Sequence, residues 1–196
     1  MSRRPLTVVK VGGSLLAAPE RLRAVLRACA EGREGACILV PGGGPFADAV
    51  RNAQADLGFS DALAHRLALD AMGRMAEIFC DLEPRLRVLC DPASMGGVAA
   101  IWDPAALKTG RPDIPERWDV TSDSLALWLA AEIGAATCLL LKSVDAPQGA
   151  GTDALSRLGL VDAAFPAFAA RFSGRILLRG PGAETVVTAA PGREAA

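Results

Sequence analysis

The chain of 196 residues lacks the features that mark several large classes of protein. Its net charge is -1 and its basic residues are dispersed, which excludes the basic surface of a nucleic-acid-binding protein. Its five cysteines form no C-x-x-C pair and lie in apolar patterns, which favours buried free thiols over a metal site or disulfides. The most apolar run, 125–141, contains a glutamate, a glycine and a threonine, which indicates a helix, a turn and a strand rather than a membrane span.

Lysine is also scarce, since only Lys10, Lys108 and Lys142 are present among the 21 basic residues. Where arginine is the usual cation, a lysine is expected to serve a chemical role, because a compact ammonium group can follow a moving phosphoryl oxygen. Lys10 and Lys142 both stand at predicted strand ends, so this argument favours them over Lys108.

Hydrophobic residues make up 51% of the chain, which is enough for the core of one globular domain spanning residues 1–196. The residues after Met1 show no apolar leader with a small-residue cleavage site, so we expect a cytoplasmic protein. From Pro191 onward we expect a frayed terminus.

Two glycine-rich turns follow the first two predicted strands, 6–11 and 36–40. Glycines allow a sharp bend and let an anion approach the backbone N–H groups. The second turn leads into a helix, whose N-terminus also favours anions. Because parallel strands end at the same edge of a sheet, we expect both turns at one ligand-binding edge. The residues of the turns are Gly12, Gly13 and Ser14, and Gly42, Gly43 and Gly44.

A third polar stretch, 118–124, precedes an apolar helix of residues 125–133. Thr121 or Ser122 can cap this helix, and Asp123 suits its first turn. Five polar groups in six residues exceed what a cap needs, so we predict a site here. The strand that follows ends at Lys142, directly before Ser143 and Asp145.

The remaining pattern predicts helices over 19–31 and 60–81, a helical region over 158–172 and closing strands near 175–178 and 185–188. On the long helix, Leu63, Leu67, Met72, Met75 and Phe79 are predicted to face inward. A single histidine on a helix, here His65, is more often structural, and the alternative is that this helix lines an acceptor pocket or a dimer face. The segment 109–118 is predicted to be a loop that acts as a lid or a lobe boundary.

The three motifs, in this order and spacing, resemble the amino acid kinase superfamily, over about residues 6–188. The family implies an α/β fold: a three-layer αβα sandwich with a central, mostly parallel sheet. It also implies an acceptor-side lobe of about 1–118 and a nucleotide-side lobe of about 119–196. The Trp118–Ser124 run is most similar to the branch that phosphorylates aminomethylfuranmethyl phosphate in methanofuran biosynthesis.

The resemblance implies ATP with Mg²⁺ as cofactors, an anionic small-molecule substrate and a homodimer or higher homo-oligomer, with no nucleic acid, membrane or protein-bound metal. Lys10 would bridge the transferring phosphoryl group, and Asp123 would orient the lysine. The two turns would bind phosphate or acceptor. The nucleotide would lie near Lys142, Ser143 and Asp145.

Two departures from the family keep alternatives open. Active relatives commonly have Val-Asp-Gly where this chain has Val144-Asp145-Ala146, and no lysine follows Lys142. Arg157, Arg175 or Arg179 could replace a missing lysine, or the protein could be a degenerate kinase fold that acts as a partner subunit. The acceptor could also be an amino acid carboxylate or a nucleoside monophosphate, selected by groups such as His65, Asp70, Arg74 and those near Met95.

A dinucleotide-binding domain is a further alternative, because residues 42–47 fit G-x-G-x-x-A after a strand. That motif requires a second strand that ends in an acidic residue about 20 positions on. The pattern after residue 47 is helical instead.

Overall fold

The computed structural model describes residues 5–188, so the frayed terminus predicted from Pro191 lies outside the described residues. Seven strands form one sheet. They are β1 (Leu6–Val11), β2 (Ala36–Pro41), β3 (Val88–Leu89), β4 (Ala99–Trp102), β5 (Thr137–Leu141), β6 (Arg175–Arg179) and β7 (Glu184–Val187). Their order across the sheet is β3-β4-β2-β1-β5-β6-β7, and all neighbours are parallel except the antiparallel pair β6 and β7.

Six α-helices connect or cover these strands. They are α1 (Pro19–Ala30), α2 (Gly44–Leu57), α3 (Asp61–Leu82), α4 (Ser122–Glu132), α5 (Thr152–Arg157) and α6 (Phe165–Ala169). Short 3₁₀ turns occupy Gly13–Ala17, Pro92–Ser94 and Pro104–Thr109. The mostly parallel sheet between two helical layers confirms the predicted fold class.

The chain leaves β1 toward β2 on one side of the sheet, whereas it leaves β5 toward β6 on the other. The carboxyl ends of β1 and β5, which are neighbours, therefore lie at a switch point of the topology. In open α/β sheets such a point forms a crevice in which ligands bind.

Side chains of β1 alternate between two cores. Val9 and Val11 pack with apolar residues of α1 and the C-terminal half of α3, while Val8 packs with the core that includes α4 and α6. Because the period of a strand is two, Lys10 shares the face of Val8. Its side chain is thereby directed to the layer that contains α4.

Helix α3 begins as predicted, with the Ser60 hydroxyl accepting a hydrogen bond from the Leu63 amide. The prediction that Leu63 and Leu67 face inward is wrong, because they are 39% and 37% exposed. The apolar surface of α3 is wider than its contact with the sheet. The predicted inward positions Met72, Met75 and Phe79 are buried, which confirms that part of the prediction, and Ala64 and Leu69 are buried with them.

The C-terminal part was predicted less well. The predicted helical region 158–172 contains only α6, while α5 lies in front of it, at residues for which no helix was predicted. The closing strands β6 and β7 are confirmed to within about one residue.

The dinucleotide-binding alternative is wrong. Two helices, α2 and α3, follow the second glycine turn before the next strand begins, so the required strand after a single helix is missing. One sheet spans both predicted lobes, and the division near residue 118 stays a prediction.

Candidate functional site

Two lysines meet one carboxylate at the switch point of the sheet. Lys10 lies near the end of β1, Asp123 lies in the first turn of α4, and Lys142 directly follows β5. Lys10 Nζ is 2.9 Å from Asp123 Oδ1, and Lys142 Nζ donates to both carboxylate oxygens at 2.8 Å. The three residues are only 6%, 5% and 9% exposed, respectively. The structure thus brings together three residues that lie far apart in the sequence.

The charges of this cluster shift two pKa values. Burial alone would raise the pKa of the Asp123 carboxyl, but the adjacent Lys10 and Lys142 ammonium groups hold it below its ordinary value. Burial and the charge of Lys10 lower the pKa of Lys142 to about 8. At neutral pH the cluster therefore has two cations and one anion, which leaves it attractive to an anionic ligand.

Asp162 holds the start of α4 in place. Its Oδ2 accepts hydrogen bonds from the Thr121 amide at 3.0 Å, the Thr121 hydroxyl at 2.8 Å and the Ser124 amide at 3.0 Å. Its Oδ1 accepts from the Ser124 hydroxyl. Burial and the charge of Asp123 raise the pKa of Asp162. Thr121 occupies the N-cap position of α4, as predicted, but its hydroxyl donates to Asp162 and does not accept from an amide of the helix.

The two glycine turns lie against each other. A Cβ on Gly13 would lie 2.8 Å from Gly44 Cα, and one on Gly42 would lie 2.9 Å from the Gly13 nitrogen. Within residues 5–188, the amides of Gly13, Gly43 and Gly44 make no backbone hydrogen bond. Gly44 also has a φ of +53° at the start of α2. The close approach leaves N–H groups at a helix N-terminus available to an anion.

A cavity of about 420 Å³ opens beside these turns. Apolar side chains of α3, α4 and the preceding loop line part of it, among them Leu69, Met72 and Leu125. Polar groups around it come from Ser14, Ser122 and His65. Burial lowers the pKa of His65, against opposing effects of the Arg117 backbone and Glu116, which favours the neutral imidazole. Gly12 borders this region, since its added Cβ would lie 3.3 Å from Lys10 Nζ.

The groups predicted to bind nucleotide lie on the β5–β6 side. Ser143 is exposed, and Asp145 Oδ1 accepts hydrogen bonds from the amides of Gly182 and Ala183 in the turn between β6 and β7. The backbone carbonyl of Lys142 accepts from Arg21 Nη1 at 2.7 Å, so α1 fixes the end of β5. Through its hydrogen bonds with the Gly182 and Ala183 amides, the Asp145 carboxylate stabilises the turn between β6 and β7.

The three arginines considered as substitutes for a lysine differ in their positions. Arg175 begins β6 and so lies at the edge of the sheet opposite the site. Arg179 lies at the correct edge, but it pairs with Glu34 at 2.6 Å and with Glu184 at 2.7 Å. Arg157 ends α5. Arg175 is therefore excluded as a phosphate ligand at this site.

Other residues considered for the acceptor pocket lie outside it. Lys108 pairs with Asp70 at 2.6 Å, and Arg74 pairs with Glu77 at 3.2 Å, both on partly exposed surfaces of α3. Met95 lies near Leu6, toward the amino end of β1, so it faces the opposite edge of the sheet. Of these groups, only His65 lines the cavity.

Sequence reasoning missed Asp162, Arg21 and Trp118 as parts of this region. Asp162 and Arg21 bind backbone groups far away in the sequence, so no local pattern reveals them. Trp118 was noted only as a member of the polar stretch, but it lines the cavity.

Comparison with known proteins shows what the chain is similar to. Residues 5–85 match the sequence model described as the amino acid kinase family. The resemblance to this family is confirmed. A protein of Methanocaldococcus jannaschii named [5-(aminomethyl)furan-3-yl]methyl phosphate kinase is 28% identical over 144 residues. The alignment covers 70% of this chain and 66%, just under two thirds, of that relative.

Solved kinase structures share the fold. The uridylate kinase of Archaeoglobus fulgidus superposes with a TM-score of 0.71 at 16% identity, covering 93% of this chain and 99% of that structure. The UMP kinase of Ureaplasma parvum has a TM-score of 0.68 at 15% identity, covering 95% and 100%. At these identities the similarity shows the fold alone.

Within residues 5–188, no group of three or more His, Cys, Asp or Glu side chains is arranged to hold a metal ion. In the same part of the chain, no helix combines the length and apolarity needed to cross a bilayer.

Proposed function

We propose that the protein is an ATP-dependent kinase that transfers the γ-phosphoryl group of ATP to an anionic small-molecule acceptor. The observation that carries this proposal is the convergence of Lys10 and Lys142 on Asp123, directly beside the two glycine turns. Two buried cations and a set of backbone donors at one sheet edge are suited to negative charge that moves between two phosphate groups.

The acceptor needs no general base, because a phosphate or carboxylate is already ionised at neutral pH. Its oxygen attacks the γ-phosphorus, the bond to the β-phosphate oxygen breaks, and ADP leaves. In this proposal Lys10 stabilises the charge on the transferring group, while Asp123 holds both ammonium groups in position. The amides of Gly13, Gly43 and Gly44 bind the acceptor anion.

In this proposal ATP binds on the β5–β6 side of the site, near Lys142, Ser143 and Asp145. Mg²⁺ usually keeps several waters and binds through substrate phosphates and one or two carboxylates, so it needs no cluster of protein ligands. The residues present are compatible with Mg²⁺ that enters with ATP. The ion would neutralise part of the phosphate charge.

We propose a phosphomonoester as the acceptor, of the kind of [5-(aminomethyl)furan-3-yl]methyl phosphate, which would be converted to the diphosphate for a methanofuran-type cofactor. The supporting observations are the name of the 28% identical relative and the size of the cavity next to the glycine amides. A cavity of this volume suits a small molecule.

A second candidate is a partner subunit with a kinase fold and no transferase activity. It is favoured by the internal pairing of groups on the nucleotide side. Asp145 is bound to the turn that contains Gly182 and Ala183, and Arg179 is neutralised by Glu34 and Glu184. Nucleotide binding distinguishes the two candidates.

The test is a thermal-shift titration with Mg·ATP, followed by an assay for ADP formation with the aminomethylfuranmethyl phosphate as acceptor. Binding at about 100 times the dissociation constant should stabilise the wild-type protein by roughly 2.7 kcal/mol. No shift at millimolar Mg·ATP would contradict the kinase proposal and favour the partner subunit.

We expect Lys10→Ala to lower kcat by about 10²–10³-fold, since the loss of one donor to the transition state costs roughly 3–4 kcal/mol. Lys108→Ala is the matched control, because Lys108 lies in a surface ion pair with Asp70 and should leave kcat unchanged. A folded Lys10→Ala variant with the wild-type kcat would contradict the catalytic role proposed for Lys10.

A further inference from the structure

One wall of the cavity is built along helix α2. Gly44 begins this helix beside the anion-binding amides, and Asp48 and Arg51 line the same cavity further along. Arg51 is seven residues beyond Gly44, which corresponds to roughly 10 Å along a helix axis. If the anionic group of a ligand binds at the start of α2, the opposite end of that ligand would therefore reach Arg51.

Trp118 completes this wall from the loop before α4. Its indole Nε1 donates to Gln54 Oε1 at 2.5 Å. The Arg51 guanidinium carbon lies 4.3 Å from the centroid of the indole, and Arg51 Nη1 also donates to Asp48 Oδ1 at 2.9 Å. The indole N–H and one ring face are thus occupied, which fixes the ring at the cavity.

The loop that carries Trp118 is also tied to α3. Glu116 pairs with Arg66 at 2.9 Å, two residues before Trp118. The loop is therefore joined to α3 through Glu116 and to α2 through Trp118. These contacts give the wall a fixed shape, as a selective pocket requires.

We infer that Arg51 and Trp118 determine which acceptors bind. They contact the end of the acceptor remote from the phosphoryl transfer, and they favour a phosphomonoester with a flat, ring-bearing body that extends roughly 10 Å from the glycine amides. Leu69, Met72 and Leu125 line the same cavity with apolar side chains, so an aromatic ring in the cavity can contact them as well as the indole. This inference rests on the proposed function and names the acceptor class of the same site.

The test uses calorimetric titration with inorganic phosphate and benzyl phosphate, which share the anion and differ in the ring. Wild-type protein should bind benzyl phosphate at least about tenfold more tightly. Trp118→Ala should remove most of this preference and leave the affinity for inorganic phosphate within about twofold. Arg51→Ala, a change at a half-exposed side chain that should not prevent folding, is expected to reduce the preference in the same direction.

The chain contains a matched control. Arg111 lies 5.1 Å from the ring of Trp128, whose Nε1 donates to Asp113 at 2.6 Å, and neither Arg111 nor Trp128 lines the cavity. Arg111→Ala should therefore keep the wild-type preference for benzyl phosphate.

The outcomes separate the two proposals. If the wild-type protein binds both phosphates equally, or if Arg51→Ala and Trp118→Ala retain the preference, the inference is overturned while the anion site stands. An equal loss in Arg111→Ala also overturns it, because the effect is then not local. If wild type binds neither phosphate, the anion site of the proposed function fails and the inference fails with it.

Discussion

Lys142 is only 9% exposed and its ammonium group lies close to a second buried lysine, so its proton is held less tightly than in solution. With a pKa of about 8, it should lose its charge within a range in which ordinary lysines remain protonated. We predict that kcat falls as the pH rises above about 8, since the neutral amine no longer stabilises phosphoryl oxygens. A pH–rate profile measures this.

Lys142→Arg is the control for this profile, because a guanidinium stays charged throughout the range. The variant should be slower but show no alkaline decline. A wild-type profile that is flat to pH 10 would contradict the prediction.

Deprotonation of Lys142 should stabilise the folded protein, although it lowers activity. Its folded-state pKa of about 8 lies below the ordinary value of 10.5, so between these values the unfolded chain binds more protons. Lys142 should therefore make the free energy of unfolding rise with pH across this window, while activity falls. The buried thiols of Cys29 and Cys138, whose pKa values are raised by burial and neighbouring groups, contribute in the opposite sense. Lys142→Met should lose this increase in a series of denaturant titrations. The effect is the difference between wild type and Lys142→Met at each pH, because both proteins contain the same thiols and neither contains tyrosine.

At the residue scale, the sequence indicated which lysines lie together but not all the side chains that surround them. The rarity of lysine among the cations singled out Lys10 and Lys142, and the excess of polar groups before α4 singled out Asp123. Asp162 was not predicted, because its four hydrogen bonds join segments that lie far apart in the sequence and share no local pattern. That Lys142 pairs with the same carboxylate as Lys10 also required the three-dimensional structure.

At the scale of elements, α4 depends on a carboxylate from outside the helix. Asp162→Ala would leave the Thr121 and Ser124 amides without their acceptor, in a part of the fold that is largely buried. We expect a loss of about 2–3 kcal/mol in the free energy of unfolding, measured by chemical denaturation. Asp119→Ala, which removes a half-exposed partner of Arg117, should cost less than about 1 kcal/mol. Equal losses in the two variants would refute the capping role.

The contact between the two glycine turns gives a second prediction at this scale. A methyl group at Gly13 would lie 2.8 Å from the backbone of Gly44, so Gly13→Ala must push the turns apart. We expect a loss of about 1–3 kcal/mol in stability and weaker binding of phosphate. Gly97→Ala is the control, since its Cβ would meet nothing within 4 Å. Unchanged phosphate affinity in Gly13→Ala would argue against an anion site between the turns.

The elements themselves followed from the sequence where periodicity and turn residues agreed. β1 and β2 were predicted to within about one residue, since continuous apolar runs end at glycines. The inward face of α3 was predicted only in part: Met72, Met75 and Phe79 are buried as expected, whereas Leu63 and Leu67 are not. A helix with apolar residues on several sides gives no unique buried stripe. The short helices α5 and α6 lack such periodicity and are positioned by packing.

At the scale of the whole molecule, the exposed apolar side chains of α3 suggest self-association. Leu63, Leu67 and Ile78 are 37–39% exposed, and Leu57 at the end of α2 is 78% exposed. We propose that this surface forms a homodimer, since burying it would remove apolar area from water. Light scattering should give twice the chain mass, and Leu63→Glu with Leu67→Glu should halve it. A monomeric wild-type protein would contradict the proposal.

The central position of β1 has a consequence for protein synthesis. β1 is synthesised before the other six strands of this sheet, yet it pairs with β2 on one side and with β5 on the other. Its edge toward β5 therefore stays open until residues 137–141 have been made. An apolar strand with an open edge pairs readily with other chains, so the nascent protein passes most of its synthesis in an aggregation-prone form. Lys142 is likewise synthesised long after Lys10, so a truncated chain that ends before β5 has neither the complete sheet nor both lysines of the site.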